Sequence, residues 1–74
     1  MKYYQVHAYT SVEESHDIET LYEGKSLKKA YRVFEQAKKT YPMVRIDEWN
    51  GEYQYGSYDG DYTNDVECWR KSSI

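Results

Sequence analysis

The chain contains few of the residues that cross-link a protein or fill its core. Its 74 residues include one cysteine, one proline and only ten leucine, isoleucine and valine side chains in total. A single cysteine, Cys68, excludes a disulfide within the chain and a zinc site built on several cysteines. It favours a reducing compartment, so we expect the protein to be cytoplasmic.

Long hydrophobic runs are also missing. No segment approaches the roughly 20 apolar residues that span a bilayer, and residues 1–10 alternate polar with apolar. We therefore expect neither a membrane span nor a secretion signal. A chain of this length buries only about 60% of its unfolded surface, so residues 1–74 are predicted to form one small domain. Ten tyrosines dominate its aromatic residues, and their rings must complete the core.

The first half of the chain predicts two strands and a helix. Residues 2–10 alternate with a period of two, which is typical of a strand, and residues 18–24 form a shorter second one after a polar loop. The segment 26–41 predicts a helix, with Ser26 as its N-cap and Pro42 as its stop. A single stripe of this helix should face the core, formed by Leu27, Ala30, Tyr31, Phe34, Ala37 and Tyr41.

Two turn signals follow Pro42. Asn50-Gly51 and Asp59-Gly60 are the strongest short hairpin dipeptides, because both positions of a type I′ turn need positive φ. They predict a C-terminal three-stranded meander with strands at 43–49, 52–58 and 61–70. The predicted fold class is α+β, in the order β-β-α-β-β-β. One helix packs on one face of a mainly antiparallel sheet.

Two-residue turns would also fix which side chains share a face. The predicted core face collects Val44, Ile46, Tyr53, Tyr55, Tyr62, Val66 and Cys68. The predicted open face collects Arg45, Asp47, Trp49, Glu52, Gln54, Tyr58, Asp61, Asp65, Glu67 and Trp69, and Tyr3, His7 and Tyr9 could extend it. In this register Glu52 lies opposite Glu67, an unfavourable like-charged pair. One helix covers only one face, so the other stays open unless a partner covers it.

The distribution of charge gives this open face its functional interest. Residues 46–67 hold seven carboxylates and no lysine or arginine, whereas residues 25–45 hold seven basic residues and one acid. Tryptophan and tyrosine are enriched at interface hot spots, and a carboxylate rim steers a cationic partner. We predict a small inhibitor or adaptor that binds a basic, nucleic-acid-binding protein. Its spaced carboxylates could imitate a row of phosphates, as a DNA-mimicking inhibitor would, and by analogy phages and mobile elements encode many small proteins of this kind. The predicted partner-binding residues are Asp47, Trp49, Glu52, Tyr58, Asp61, Asp65, Glu67 and Trp69.

Other interpretations stay open. The acidic face could be a solvated sheet surface that deters aggregation. The open faces could pack in a homodimer, with the basic helix of one copy near the acids of the other. Direct nucleic-acid or nucleotide binding could use exposed rings together with the basic helix flank, formed by Lys28, Lys29, Arg32, Lys38 and Lys39. The acidic face would repel a polyanion.

Catalysis and metal binding find little support. An EF-hand needs glycine at its sixth position and glutamate at its twelfth, but in the segment starting at Asp59 these are Asn64 and Arg70. His7 and His16 have no second ligand at a useful spacing. A pairing of Cys68 with His7 is conceivable, but Cys68 is expected in the core, where free cysteine behaves as a small hydrophobe. We predict no enzyme activity, metal or cofactor.

Overall fold

A four-stranded antiparallel sheet carries one helix on one of its faces. The structure is a computed structural model that describes residues 1–10 and 18–71, except for the side chains of Ser57 and Tyr58. Its elements are β1 (Lys2–Tyr9), β2 (Ile18–Gly24), α1 (Leu27–Ala37), β3 (Met43–Gln54) and β4 (Ser57–Arg70). The order across the sheet is β2-β1-β3-β4. The predicted α+β class and the single helix on one face are confirmed.

The helix begins where the sequence predicts. The side chain of Ser26 accepts a hydrogen bond from the backbone N–H of Lys29 at 3.1 Å, which satisfies one of the free donors of the first turn. Regular helix ends at Ala37 rather than at Tyr41. The chain then tightens into a turn in which the Thr40 and Tyr41 amides both donate to the Ala37 carbonyl. Tyr41 still packs against the core.

The core lies between α1 and the middle of the sheet. Ala30, Phe34 and Ala37 from the helix pack with Val6, Val44 and Ile46 from β1 and β3, and all six are buried. The remaining predicted stripe residues, Leu27, Tyr31 and Tyr41, pack around this cluster. The predicted helix face is therefore confirmed, because the spacing of its apolar residues follows the helical period.

The C-terminal segment is antiparallel throughout and in that broad sense follows the predicted meander. It contains two long strands, however, not three. The turn lies at Tyr55-Gly56, where both residues have positive φ (52° and 88°) and Gln54 pairs with Ser57. Tyrosine seldom adopts this conformation. The turn preferences of Asn50-Gly51 and Asp59-Gly60 are thus overridden. The long hairpin places Trp69 beside Val44 in the part of the sheet that the helix covers.

The glycines of the two predicted turns pair with each other inside this hairpin. Gly51 lies opposite Gly60. A Cβ atom on Gly51 would lie 2.5 Å from the Gly60 Cα, and one on Gly60 would lie 2.5 Å from the Gly51 Cα. The two strands therefore approach too closely here for any side chain. Glycine serves close backbone approach at these positions and not a turn.

The new turn and two register shifts change the predicted faces. The shifts fall between Ile46 and Asp47 and between Glu48 and Trp49, and each one moves later side chains relative to the partner strand. Tyr62 and Cys68, predicted for the core face, lie opposite Trp49 and Arg45 and are exposed. Tyr53 and Tyr55 are exposed as well.

Two residues predicted for the open face lie instead on the side of the helix. Trp69 pairs with Val44 and packs against the core, and Glu67 pairs with Ile46. The predicted Glu52–Glu67 pair is also wrong, because Glu52 lies opposite Asp59.

In the described parts of the chain, no helix is long and apolar enough to cross a bilayer.

Candidate functional site

The far end of the β3–β4 hairpin projects beyond the rest of the sheet. β1 ends its pairing with β3 at Asn50, and the Met1 carbonyl accepts the last bond there, from the Gly51 amide at 2.8 Å. We call residues 51–61 the distal arm. The molecule is correspondingly long, with extents of 42 × 24 × 20 Å. The distal arm holds three carboxylates and no lysine or arginine, and its tip residue Tyr55 is 99% exposed.

The distal arm contains an uncompensated like-charged pair. Glu52 lies directly opposite Asp59, and Asp61 follows at the base of the arm opposite Asn50. Among the described residues, none of these three carboxylates takes part in an ion pair. The Met1 ammonium, which also lies at the base, donates to Asn50 Oδ1 at 3.0 Å. Like charges directly opposite each other destabilise a sheet.

A second like-charged pair lies nearer the middle of the sheet, on the open face. Asp47 pairs with Asp65, but here Arg45 bridges them: its Nη2 donates to Asp47 Oδ1 at 2.8 Å and to Asp65 Oδ1 at 2.5 Å. The Tyr62 hydroxyl donates to the same Asp65 oxygen at 2.5 Å. We call these four residues the bridged cluster.

The pKa values of the two carboxyls of the bridged cluster are shifted in opposite directions. Burial raises the pKa of Asp47, which is 5% exposed, and the bond from Arg45 offsets only part of that rise. The hydrogen bond from Tyr62 lowers the pKa of the half-exposed Asp65. The Asp47 bond raises the pKa of Arg45 against its loss of hydration, so the guanidinium stays charged. One cation thus serves two acids.

His7 lies on β1 next to the bridged cluster. Its Nε2 is 3.6 Å from Asp47 Oδ2 and 3.0 Å from Gln5 Oε1, and its Nδ1 is 3.1 Å from the Thr20 hydroxyl. Burial lowers the pKa of His7 although Asp47 acts to raise it. At neutral pH the imidazole therefore adds no positive charge to the cluster.

Aromatic rings line the same part of the open face. Trp49 stacks on Tyr3 with centroids 6.3 Å apart and meets Tyr62 edge-on at 5.4 Å. A cleft of about 330 Å³ opens beside them, and we call it the open-face cleft. Its lining residues are His7, Tyr9, Ile18, Arg45, Asp47, Trp49 and Tyr62. Two buried donors here, Arg45 Nε and Trp49 Nε1, have no acceptor among the described residues.

The structure brings together only part of the predicted binding set. Asp47 and Trp49 line the open-face cleft, and Asp65 lies beside it, bonded to Arg45 and Tyr62 of its lining. Glu52 and Asp61 lie on the distal arm. The backbone of Tyr58 also lies on the arm, but its side chain falls outside the described part. Glu67 and Trp69 lie on the helix side, where the Tyr31 hydroxyl is 3.5 Å from Glu67 and the Lys38 ammonium is 5.7 Å from the Trp69 ring.

Sequence reasoning did not assign His7 or Tyr62 to the site. Alternation in residues 2–10 did place His7 outward, but Tyr62 depends on the register shifts, which leave no signal in the sequence. His16, which was predicted to lack a second metal ligand at a useful spacing, lies outside the described residues. Arg45 on β3 pairs with His7 on β1 and, on its other side, with Cys68 on β4. Two strand spacings, about 10 Å, therefore separate His7 from Cys68. Within the described residues no group of three or more His, Cys, Asp and Glu side chains could hold a metal ion.

Three lysines lie together at the opposite end of the molecule. Lys38 and Lys39 follow the end of α1, and the Lys71 amide donates to the Pro42 carbonyl at 2.7 Å. These three lysines and Trp69 help to line a second cleft of about 340 Å³. Lys38 also pairs with Glu35 at 3.1 Å.

In comparisons with family models, with curated proteins and with solved structures, nothing matches this chain.

Proposed function

We propose that this protein is a small acidic binding module, an inhibitor or adaptor, that docks its distal arm onto a basic, nucleic-acid-binding protein in the cytoplasm. The observation that carries the proposal is the Glu52–Asp59 pair, which faces like charge across the hairpin with no described cation to bridge it. Local rules are broken most often where function requires it. A basic partner would relieve the repulsion on binding.

The geometry of the distal arm suits a partner that binds nucleic acid. Side chains two residues apart on one strand are about 6.7 Å apart. That is close to twice the axial rise per phosphate of one DNA strand, about 3.4 Å. Asp59 and Asp61 have this spacing on β4, and Glu52 faces Asp59 from β3. The arm thus offers carboxylates at distances comparable to every second phosphate.

Exposed tyrosines give the distal arm contact area beside its charge. Tyr53 is 56% exposed and Tyr55 is almost fully exposed. Tyrosine supplies a large ring at a small loss of side-chain entropy, and it is enriched at binding hot spots. Glu67 and Trp69 face the helix side and take no part in this surface.

The test compares capture by the wild type with capture by the arm variant Glu52→Gln/Asp59→Asn/Asp61→Asn. A matched control, Glu19→Gln/Glu23→Gln/Glu35→Gln, removes the same charge from exposed positions outside the arm. At low salt, the wild type and the control should retain a basic protein that the arm variant loses. Duplex DNA should release it, since both ligands would use the same surface. Equal capture by the arm variant, or no displacement by DNA, contradicts the proposal.

Self-association is a second candidate, favoured by the separation of charge along the molecule. The acidic arm lies at one end, and the lysine-lined cleft at the end of α1 lies at the other. A head-to-tail contact between copies would bring the two together. Sedimentation of the pure protein at low and high salt distinguishes this candidate, because only self-association yields a salt-sensitive oligomer without a partner.

A further inference from the structure

We propose that the lysine-lined cleft at the end of α1 binds the oligophosphate group of a small ligand, either inorganic or part of a nucleotide. The cleft has a volume of about 340 Å³, and the charged residues of its lining are Lys38, Lys39 and Lys71. It lies at the opposite end of the molecule from the distal arm, so the inference does not depend on the proposed function.

The charge of the lining favours an anion. No acid lines the cleft beside its three lysines. Glu35, outside the lining, pairs with Lys38 at 3.1 Å, but Lys39 and Lys71 form no ion pair with any described residue. In the bridged cluster the chain supplies a cation for two acids, whereas here it supplies no acid for two lysines. An anion from outside the chain would complete the arrangement.

The fold holds these lysines around one space although they are distant in the sequence. The Lys71 amide donates to the Pro42 carbonyl at 2.7 Å, which fastens the end of β4 to the segment that follows α1. The Lys38 ammonium lies 5.2 Å from the Phe34 ring centroid and 5.7 Å from that of Trp69. One ammonium is therefore positioned before a ligand arrives, which reduces the entropy lost on binding.

The number of ammonium groups favours linked phosphates over a carboxylate. Each ammonium has three donors and no acceptor, and lysine binds phosphate as a point charge. A phosphate group carries about 1.5 to 2 negative charges near neutral pH and three acceptor oxygens. Linked phosphates can therefore serve several lysines, whereas one carboxylate balances one. The cleft is near the small end of ligand sites, so it suits a short phosphate chain rather than a nucleic-acid strand.

The acids of the protein do not cancel this attraction. The distal arm lies at the other end of a molecule 42 Å long, and the Debye length at physiological salt is only about 8 Å. Nearer the cleft, Glu19 accepts a hydrogen bond at 2.6 Å from the Tyr41 hydroxyl, which belongs to the lining. Even when Glu19 and Glu35 are both counted, the three lysines leave positive charge in excess.

The test follows the backbone amide shifts of the isotope-labelled wild type by NMR, during titration with pyrophosphate at constant ionic strength. We expect saturable shifts at residues 38–42 and 69–71 and none in the distal arm. Inorganic phosphate should bind about tenfold more weakly, because it reaches fewer of the ammonium groups. Equal affinity for the two probes, or no saturable shift around the cleft, overturns the inference.

Two further probes distinguish the sources of the oligophosphate. Tighter binding of ATP than of tripolyphosphate supports a nucleotide, and equal binding supports the phosphate chain alone. Binding of both probes no tighter than that of inorganic phosphate overturns the inference.

Matched variants locate the site. Lys39→Gln/Lys71→Gln removes the two unpaired lysines and should weaken pyrophosphate binding about tenfold or more. Lys28→Gln/Lys29→Gln removes the same charge from the first turn of α1 and should change it less than about twofold. All four positions are exposed, so both variants should fold. An equal loss in the two variants overturns the inference, because binding would then follow net charge alone.

A second copy of the chain is the competing occupant. The same amides would then shift with protein concentration alone, and pyrophosphate would add no further shift. That result overturns the inference.

Discussion

Two like-charged pairs on one hairpin have opposite surroundings. Asp47 and Asp65 lie in the body of the sheet, where Arg45 bridges them and Tyr62 donates a further hydrogen bond. Glu52 and Asp59 lie on the distal arm, where no described cation pairs with either. The chain therefore neutralises repulsion in the part that must fold and leaves it in the part that projects. This difference separates residues that stabilise the protein from residues that are available to a partner.

The largest expected effect separates the sheet body from the distal arm. Phe34→Ala removes a ring from the core, where Phe34 is 2% exposed, and should lower the free energy of unfolding by about 3–5 kcal/mol. Tyr55→Ala removes an exposed ring of similar size and should change it by less than about 0.5 kcal/mol. Urea denaturation measures both. A large loss in Tyr55→Ala would show that the arm is part of the cooperative fold.

The comparison of the two acidic pairs is tested next. Arg45→Met leaves Asp47 as a buried charge without its cation and should lower the free energy of unfolding by about 2 kcal/mol. This is less than the roughly 3–5 kcal/mol expected for a fully buried pair, because Asp65 is half-exposed. Adding Asp47→Leu should restore most of that loss. Glu52→Gln relieves repulsion on the arm and should gain a few tenths of a kcal/mol. A similar loss in Arg45→Met and in Glu52→Gln would remove the distinction between the pairs.

Glycine substitutions test how the arm leaves the sheet. Gly51→Ala drives a methyl group into the Gly60 backbone and should separate the strands there, with a loss of about 1–3 kcal/mol and rapid hydrogen exchange throughout the arm. Gly56→Asn is the matched control. Its site has φ 88° with open space around a Cβ, and asparagine tolerates positive φ. Faster exchange in Gly56→Asn than in Gly51→Ala would place the critical contact at the turn instead.

The smallest expected effect is the contribution of His7 to the pH dependence of stability. The pKa of His7 is lowered in the fold, chiefly by burial, with Asp47 and Glu23 opposing and Arg45 assisting. The unfolded chain therefore binds more protons, so stability falls as pH drops below the unfolded histidine pKa of about 6.5.

Replacement of the imidazole isolates this contribution. His7→Gln should lose less stability between pH 7 and pH 5 than the wild type does, as measured by thermal unfolding at each pH. His16→Gln is the control for the other histidine. An identical slope in His7→Gln and the wild type would show that the carboxyls set the pH dependence.

The sequence determined the parts of this protein that depend on local periodicity. The stripe from Leu27 to Ala37 and the alternation of β1 follow from repeats of 3.6 and 2 residues. The Ser26 cap follows from the preference of serine for the N-cap position. The same alternation placed Arg45, Asp47 and Trp49 on one face, and the block of acids free of lysine and arginine was visible as a charge pattern.

Only the tertiary structure decided how the C-terminal strands pair. Three dipeptides could form a tight turn, and the two with the better local preference became a close Gly51–Gly60 contact. A turn preference acts on two residues, whereas pairing β4 with the helix-covered part of β3 packs the partly buried Trp69 and Val66 against the core. That choice, with two register shifts, moved Tyr62 to the cleft and Glu67 and Trp69 to the helix side. The pairing of β3 with β4 decided which acids Arg45 bridges and which stay unbridged. No local pattern reveals that register, because it depends on burial summed over the whole hairpin.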